Sequence, residues 1–288
     1  MTILEAIREY ARQLEGHGVE SPRWQVEWML AQALAMPRLH LYLNGQRALT
    51  ASEHQVLKHW IERRACREPL QYILGSTSFC GLELKVTPAV LIPRPETELL
   101  AERAWRLLNQ PPLGWQKPTV ALDYGTGSGC LAITLAVHAP QALIYALDIS
   151  EEALLVARHN AEHHRVSRRI HFLKGEDLAV LPEGVKLDLI VTNPPYIPSA
   201  EIDSLQPEVR DFEPRLALNG GPDGLHFYRY LAQAALPWLS PSAWLLAEIG
   251  EGQAEKMAGI FQSPAWHIAS IDPDDTGRLR LLTVCRTG

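Results

Sequence analysis

Asn193-Pro194-Pro195-Tyr196 is the stretch of this chain best suited to chemistry on a planar group. Two successive prolines remove two backbone N–H donors and pin φ, so the loop presents carbonyl oxygens beside the Asn193 amide and the Tyr196 ring. A substrate NH2 can donate to the Asn193 side-chain oxygen and the Pro194 carbonyl, while its π-system packs on the aromatic face. The loop follows Leu187-Asp188-Leu189-Ile190-Val191-Thr192, a run with a strand's length and β-branched content. It therefore falls at a strand's carboxyl end, where open α/β sheets place ligands. The alternative for the tetrapeptide alone is a proline-rich turn after a strand.

A second constellation stands upstream. Val120-Ala121-Leu122-Asp123-Tyr124-Gly125-Thr126-Gly127-Ser128-Gly129 reads as a buried strand, an acid and a glycine-rich turn into a helix beginning near Cys130. Alternate glycines let a ligand approach the backbone closely. The spacing is G-x-G-x-G, whereas the dinucleotide fingerprint is G-x-G-x-x-G with a pyrophosphate at the helix start. A carboxylate before the glycines suits a cationic, phosphate-free ligand. Ile144-Tyr145-Ala146-Leu147-Asp148 ends a second apolar strand in an acid, the position from which a Rossmann-like sheet bonds ribose hydroxyls. A nucleoside with a cationic tail meets both demands, and S-adenosylmethionine is one.

The chain has 288 residues, 47% hydrophobic, enough for one large core or two smaller ones. A formal net charge of −6 argues against a nucleic-acid polyanion as main partner and for a protein or small-molecule substrate. Cys66, Cys80, Cys130 and Cys285 are scattered, with no C-x-x-C pair, which suggests neither zinc nor disulfides and is compatible with a reducing cytoplasm. No apolar run has the length of a signal or membrane segment. His159 and His163 share a helical face but lack the glutamate of H-E-x-x-H, so no metal is expected.

Residues 1–74 read as helices. Ile3, Leu4, Ile7, Ala11 and Leu14 form one stripe; Val26, Met29, Leu30, Ala33 and Leu34 form another, with Ser21-Pro22 as N-cap and N1. A third helix from Ser52 turns Val56, Leu57, Trp60 and Ile61 inward, and Arg63-Arg64 reads as a solvated face. Residues 75–92 read as a hairpin linker around Gly81. From Pro93 onward strands alternate with helices, which argues a largely parallel sheet covered on both faces. Ile197 to Asp223 lacks clear periodicity and reads as a long loop beside the Asn193 site.

These blocks resemble the HemK/PrmC family, methyltransferases that modify the glutamine side-chain nitrogen of peptide chain release factors. The resemblance runs nearly end to end: Arg63-Arg64 through Glu68-Pro69-Leu70-Gln71-Tyr72-Ile73-Leu74-Gly75, then Val90 to Glu98, the Asp123 to Gly129 turn, and Asn193 to Tyr196. It continues through Glu213-Pro214, Ala217-Leu218, Gly220 to Leu225, and Glu248-Ile249-Gly250 before Gln253. It implies a class I methyltransferase domain, a seven-stranded Rossmann-like α/β sheet over 93–288, behind a small all-α recognition domain over 1–74. It further implies S-adenosyl-L-methionine as cofactor, S-adenosyl-L-homocysteine as product, and the glutamine of a Gly-Gly-Gln loop as target. Asp123, Gly125, Thr126, Gly127, Ser128 and Gly129 would line the methionine part, Asp148 would hold the ribose, and Asp177-Leu178 would lie near the adenine. Asn193 would face both cofactor and substrate, with Pro194, Pro195 and Tyr196 around the reacting amide. Tyr124 stands where an aliphatic residue is more usual, and Leu178 where some members have an aromatic.

An amide nitrogen is a poor nucleophile, so catalysis by such a site rests on alignment and needs no strong base; His226 and Asp211 accordingly receive no role. The implied enzyme is a cytoplasmic monomer acting on class 1 release factors, with no stable nucleic-acid or membrane partner. Two other classes stay open at this level. The Asn193 tetrapeptide also resembles that of adenine-N6 methyltransferases of DNA or RNA, which need a base-flipping pocket and a basic track. A non-catalytic module docking on the translation machinery would not need the tetrapeptide intact.

Overall fold

The computed structural model describes residues 1–110 and 118–287. They form two compact units, Met1–Ser76 with Gln206–Phe212, and Thr77–Leu205 with Glu213–Gly288. The first contains α1 (Ile3–Gly16), α2 (Pro22–Ala33), α3 (Arg38–Leu43), α4 (Ala51–Ala65) and α5 (Leu70–Leu74). Thr2 and Thr50 open α1 and α4 with reciprocal capping boxes to Glu5 and Glu53, satisfying backbone donors that a helix start leaves bare. Ile3, Ile7, Leu14, Val26, Met29, Leu30, Leu57 and Ile61 fuse into one core.

At three positions the local structure differs from what the sequence suggests. Ser21 does not cap α2: its backbone is left-handed (φ 47°) and its side chain makes no cap bond, so the helix start rests on Pro22 at the first turn. Val56 is 42% exposed, because it lies about 100° around α4 from Leu57, whose i, i+4 partner Ile61 sets the core face. Arg64 is not solvated. It is 4% exposed and held by Gln25 Oε1 and by Glu208 Oε1, each at 2.7 Å. Glu208 comes from the 206–212 segment, which belongs to this unit.

The chain then runs through β1 (Ser76–Phe79), β2 (Leu82–Lys85), α6 (Glu96–Asn109), β3 (Val120–Tyr124), α7 (Cys130–His138), β4 (Leu143–Asp148), α8 (Glu151–His163), β5 (Ile170–Lys174) and β6 (Leu187–Thr192). It continues with α9 (Pro207–Arg210), α10 (His226–Ala234), β7 (Leu239–Glu248), α11 (Ala254–Ile260), β8 (Trp266–Pro273) and β9 (Leu279–Arg286). The seven-stranded sheet has the order β5-β4-β3-β6-β7-β9-β8, parallel as far as β7, with β9 antiparallel to both neighbours. Every residue of β6 is buried, as expected of a parallel strand covered on both faces. Leu189 and Val191 join the core under α6 and α7, while Ile190 joins the opposite core under α10 and α11. No helix among the described residues is long and apolar enough to cross a membrane.

The hairpin β1–β2 is packed into this second unit, with Phe79 and Leu84 in its core. Asn160 on α8 fastens it: the side chain accepts from Lys85 N at 2.8 Å and donates to Lys85 O at 3.0 Å and Ser128 O at 2.9 Å. Asn160 is 1% exposed, so no water replaces these bonds. Asn160→Ala is expected to destabilise the α/β unit by about 1–3 kcal/mol, the cost of stranding buried polar groups. Urea denaturation curves check this, and unchanged midpoints would count against it.

Candidate active site

Chain order reverses between β3 and β6, so the loops after β3, β4 and β6 open at a topological switch point. The turn after β3 is pinned to the end of β4 by Gly125 N and Thr126 N, both 2.9 Å from Leu147 O. Gly125 and Gly127 adopt φ of +75° and +54°, and the space a Cβ would occupy is open at both. Backbone is thereby left bare toward a cavity lined by Gly125, Gly127, Asp148 and Asn193, with Tyr124, Leu147, Ile149, Leu216 and Phe227 as apolar walls. The glycine turn, the end of β4 and the start of the Asn193 loop thus meet at one cavity.

The acids divide their work. Asp148 Oδ1 accepts from Ser150 N at 2.9 Å and Oδ2 from Gly127 N at 2.8 Å, which fixes the carboxylate at the cavity wall and leaves each oxygen further acceptor capacity. Burial pushes its pKa up, and those backbone donors oppose the shift. Asp123 is fully buried behind the turn, its Oδ2 accepting from Thr126 Oγ1 at 2.6 Å and Ala132 N at 2.9 Å, while Oδ1 has no partner among the described residues. Burial pushes its carboxyl up to about 7 against those two bonds. Thr126 and Ser128 are likewise buried. Asp177 caps the short turn at Leu178–Val180 through Ala179 N, and Leu178 lies in the core. Gly175 and Glu176, immediately before them, supply the cavity wall.

After β6, Asn193 and Pro195 line the cavity, whereas Pro194 is buried. Tyr196 turns into the protein. Its hydroxyl donates to Glu248 Oε1 at 3.2 Å, and its backbone carbonyl accepts from Gln253 Nε2 at 2.9 Å. Gly224 closes over the loop so tightly that a Cβ would stand 2.3 Å from Tyr196 O. Asn193 Nδ2 donates to Thr97 Oγ1 at 3.0 Å, and Thr97 Oγ1 donates to Glu248 Oε2 at 2.6 Å. Arg94 pairs with the buried Glu213 at 2.6 Å, anchoring the start of the segment that brings Pro214, Leu216 and Ala217 to the cavity. Thr97, Glu248, Gln253 and the Arg94–Glu213 pair received no individual role in the sequence reading. One signal was present: Glu248 ends an apolar strand in an acid, as Asp148 does.

The PrmC N-terminal domain family model matches residues 5–75, and the methyltransferase small domain model matches residues 107–206. A release factor glutamine methyltransferase of Geobacter sulfurreducens is 44% identical over 261 residues, covering 90% of this chain and 87% of that protein. One from Moorella thermoacetica is 41% identical over 287 residues, 99% of each chain. The chain belongs to the release factor glutamine methyltransferase family. The sequence resemblance is thus borne out, and with it the class of enzyme, a methyltransferase. A crystal structure of a Pyrococcus furiosus methyltransferase, 18% identical, superposes with a TM-score of 0.53 over 79% of this chain and 98% of that one, a shared fold. In this family member, the Asn193 loop and glycine turn sit at the carboxyl edge of the parallel strands, the position general to the fold.

Proposed function

We propose that this enzyme transfers the methyl group of S-adenosylmethionine to the side-chain amide nitrogen of the glutamine in the Gly-Gly-Gln loop of class 1 release factors, leaving S-adenosylhomocysteine. Asn193 carries this assignment. It lines the cavity with its Nδ2 committed to Thr97, so its Oδ1 is the end offered to an incoming NH2.

The residues present suit that cofactor. Gly125 and Gly127 give the amino-acid portion bare backbone, and Asp148 has acceptor capacity for ribose hydroxyls. Ile149 and Phe227 offer apolar surface on which an adenine would pack, and Gly175–Glu176, ahead of Asp177-Leu178, would meet its polar edge. Burial raises the pKa of both Asp123 and Asp148, and a cationic tail nearby relieves that cost where a phosphate would add to it. Asp148→Ala is expected to weaken S-adenosylmethionine binding by about 1.5–3 kcal/mol, the range for hydrogen bonds to a charged group. Titration calorimetry measures this directly; unchanged affinity would remove Asp148 from the ribose assignment.

The cofactor supplies an electrophilic methyl on a sulfonium. The protein supplies alignment. Asn193, at the cavity wall, and the backbone carbonyl of the buried Pro194 beside it would accept the two amide hydrogens and orient the nitrogen for transfer. Both contacts would strengthen as positive charge develops on the amide nitrogen, whose extra proton would then leave to solvent. The helical unit is assigned to recognition of the release factor, and the enzyme is expected to act as a cytoplasmic monomer without a stable nucleic-acid or membrane partner. The test adds radiolabelled S-adenosylmethionine and the full chain to an extract lacking the endogenous enzyme. Label is expected in a protein band that resists nuclease. Nuclease-sensitive label would move the assignment to adenine-N6 methylation of nucleic acid.

A further inference from the structure

We propose that Thr97 and Glu248 are positioning residues that dictate which end of the Asn193 amide faces the cavity. This rests on the role given above to Asn193. The two ends of an asparagine amide are nearly the same size, so shape alone does not choose between them. Presented oxygen-first, Asn193 accepts from a substrate NH2; presented nitrogen-first, it repels one.

Proton counting along the network makes the choice. Glu248 ends β7 at 3% exposure, and as a carboxylate it only accepts. Its Oε1 takes the Tyr196 hydroxyl at 3.2 Å and its Oε2 takes the Thr97 hydroxyl at 2.6 Å, the short contact of a charge-assisted bond. Thr97, at 1% exposure in the first turn of α6, has a single hydroxyl hydrogen, and Glu248 consumes it. Only lone pairs remain on Thr97 Oγ1 for Asn193, 3.0 Å away, so the amide must turn its N–H to Thr97. Its oxygen is left for the other side. Three elements far apart in sequence thus hold one amide in one orientation, and Tyr228 steadies the last of them by donating to Glu248 O at 2.7 Å. Burial pushes the Glu248 pKa up, with the Thr97 and Tyr196 hydroxyls and the Arg280 charge opposing.

The test compares Thr97→Val, Thr97→Ser and Glu248→Gln in the full chain, alone and combined with Asn193→Ala. Thr97→Val and Glu248→Gln are expected to lower kcat by about tenfold or more, the factor equivalent to one lost hydrogen bond, with S-adenosylmethionine affinity within about twofold. Thr97→Ser restores the hydroxyl and is expected to restore kcat. On the Asn193→Ala background, Thr97→Val should cost almost nothing further, because it acts through the missing amide. Multiplying effects of the two, or an undiminished kcat in Thr97→Val, would overturn the proposal. A readout independent of methyl transfer is the Asn193 side-chain NH2 resonance, assigned by its loss in Asn193→Ala. One proton should be protected from exchange in the wild type and in Thr97→Ser and unprotected in Thr97→Val. Equal protection in all three would overturn the proposal even if methyl transfer itself is confirmed. Protection as expected in a chain that methylates no release factor would instead leave the positioning intact and count against the substrate assignment. Circular dichroism melts establish folding, and should Thr97→Val fail to fold, Glu248→Gln carries the comparison.

Discussion

Asn193→Ala is expected to lower kcat for methyl transfer to a release factor by at least about a hundredfold, the loss seen when a preorganised transition-state partner is removed. The size follows from the role proposed for the residue. The reacting amide nitrogen has its lone pair drawn into the carbonyl, so the rate depends on geometry and on contacts that tighten as charge develops. Asn193 stands after the buried strand β6, with its amide fixed by Thr97. On the proposed mechanism, removing it would free the substrate amide to rotate while leaving the glycine turn and Asp148 intact. Cofactor affinity should therefore change by less than about threefold, a fraction of one hydrogen bond. Single-turnover kinetics with calorimetry separate the two quantities; near-normal turnover would sink the amide-orientation mechanism.

Glu208→Ala should destabilise the helical unit by about 3–5 kcal/mol, the cost of leaving a buried cation without its anion. Glu208 receives Arg64 at 2.7 Å and Arg67 through two nitrogens, at 2.8 and 2.6 Å. Arg64 is 4% exposed, and among the described residues its other partner is the Gln25 side chain. Burial opposes ionisation of Glu208, but the two guanidiniums outweigh it and hold the carboxyl at about 2. Because the folded pKa lies below the ordinary glutamate value of 4.5, the contribution is complete above that pH and is lost as pH falls toward 2. Urea midpoints of wild type and Glu208→Ala should differ most near neutrality and converge in acid. Equal midpoints at pH 7 would show that the pair is not what holds residues 206–212 to the helices.

What the sequence made legible was local. The strands ending in Asp148 and before Asn193, and the glycine turn between Asp123 and Gly129, announce themselves by apolar runs broken by an acid, a glycine or a proline. Their convergence followed from the parallel topology. Contacts made across the chain were hidden. Arg64 looked like half of a solvated dibasic pair because Glu208 lies 144 residues away, and Thr97 was one polar residue in a capping stretch because Glu248 lies 151 residues away. Ser21 failed as a cap because side-chain type does not reveal a left-handed backbone. Tyr196 was read as a surface for substrate because nothing in the tetrapeptide shows that Glu248 and Gln253 draw it inward. Asp177-Leu178 was taken from the resemblance, and the structure brings the preceding Gly175–Glu176 to the cavity.

The most direct measurement incubates the full chain with S-adenosylmethionine and a purified class 1 release factor, then locates the methyl group by tandem mass spectrometry of the Gly-Gly-Gln peptide. One methyl on the glutamine side-chain nitrogen is expected, absent when that glutamine is replaced by glutamate in the factor and strongly reduced with Asn193→Ala. A methyl on any other residue, transfer to adenine in preference to the factor, or full activity of Asn193→Ala would contradict it.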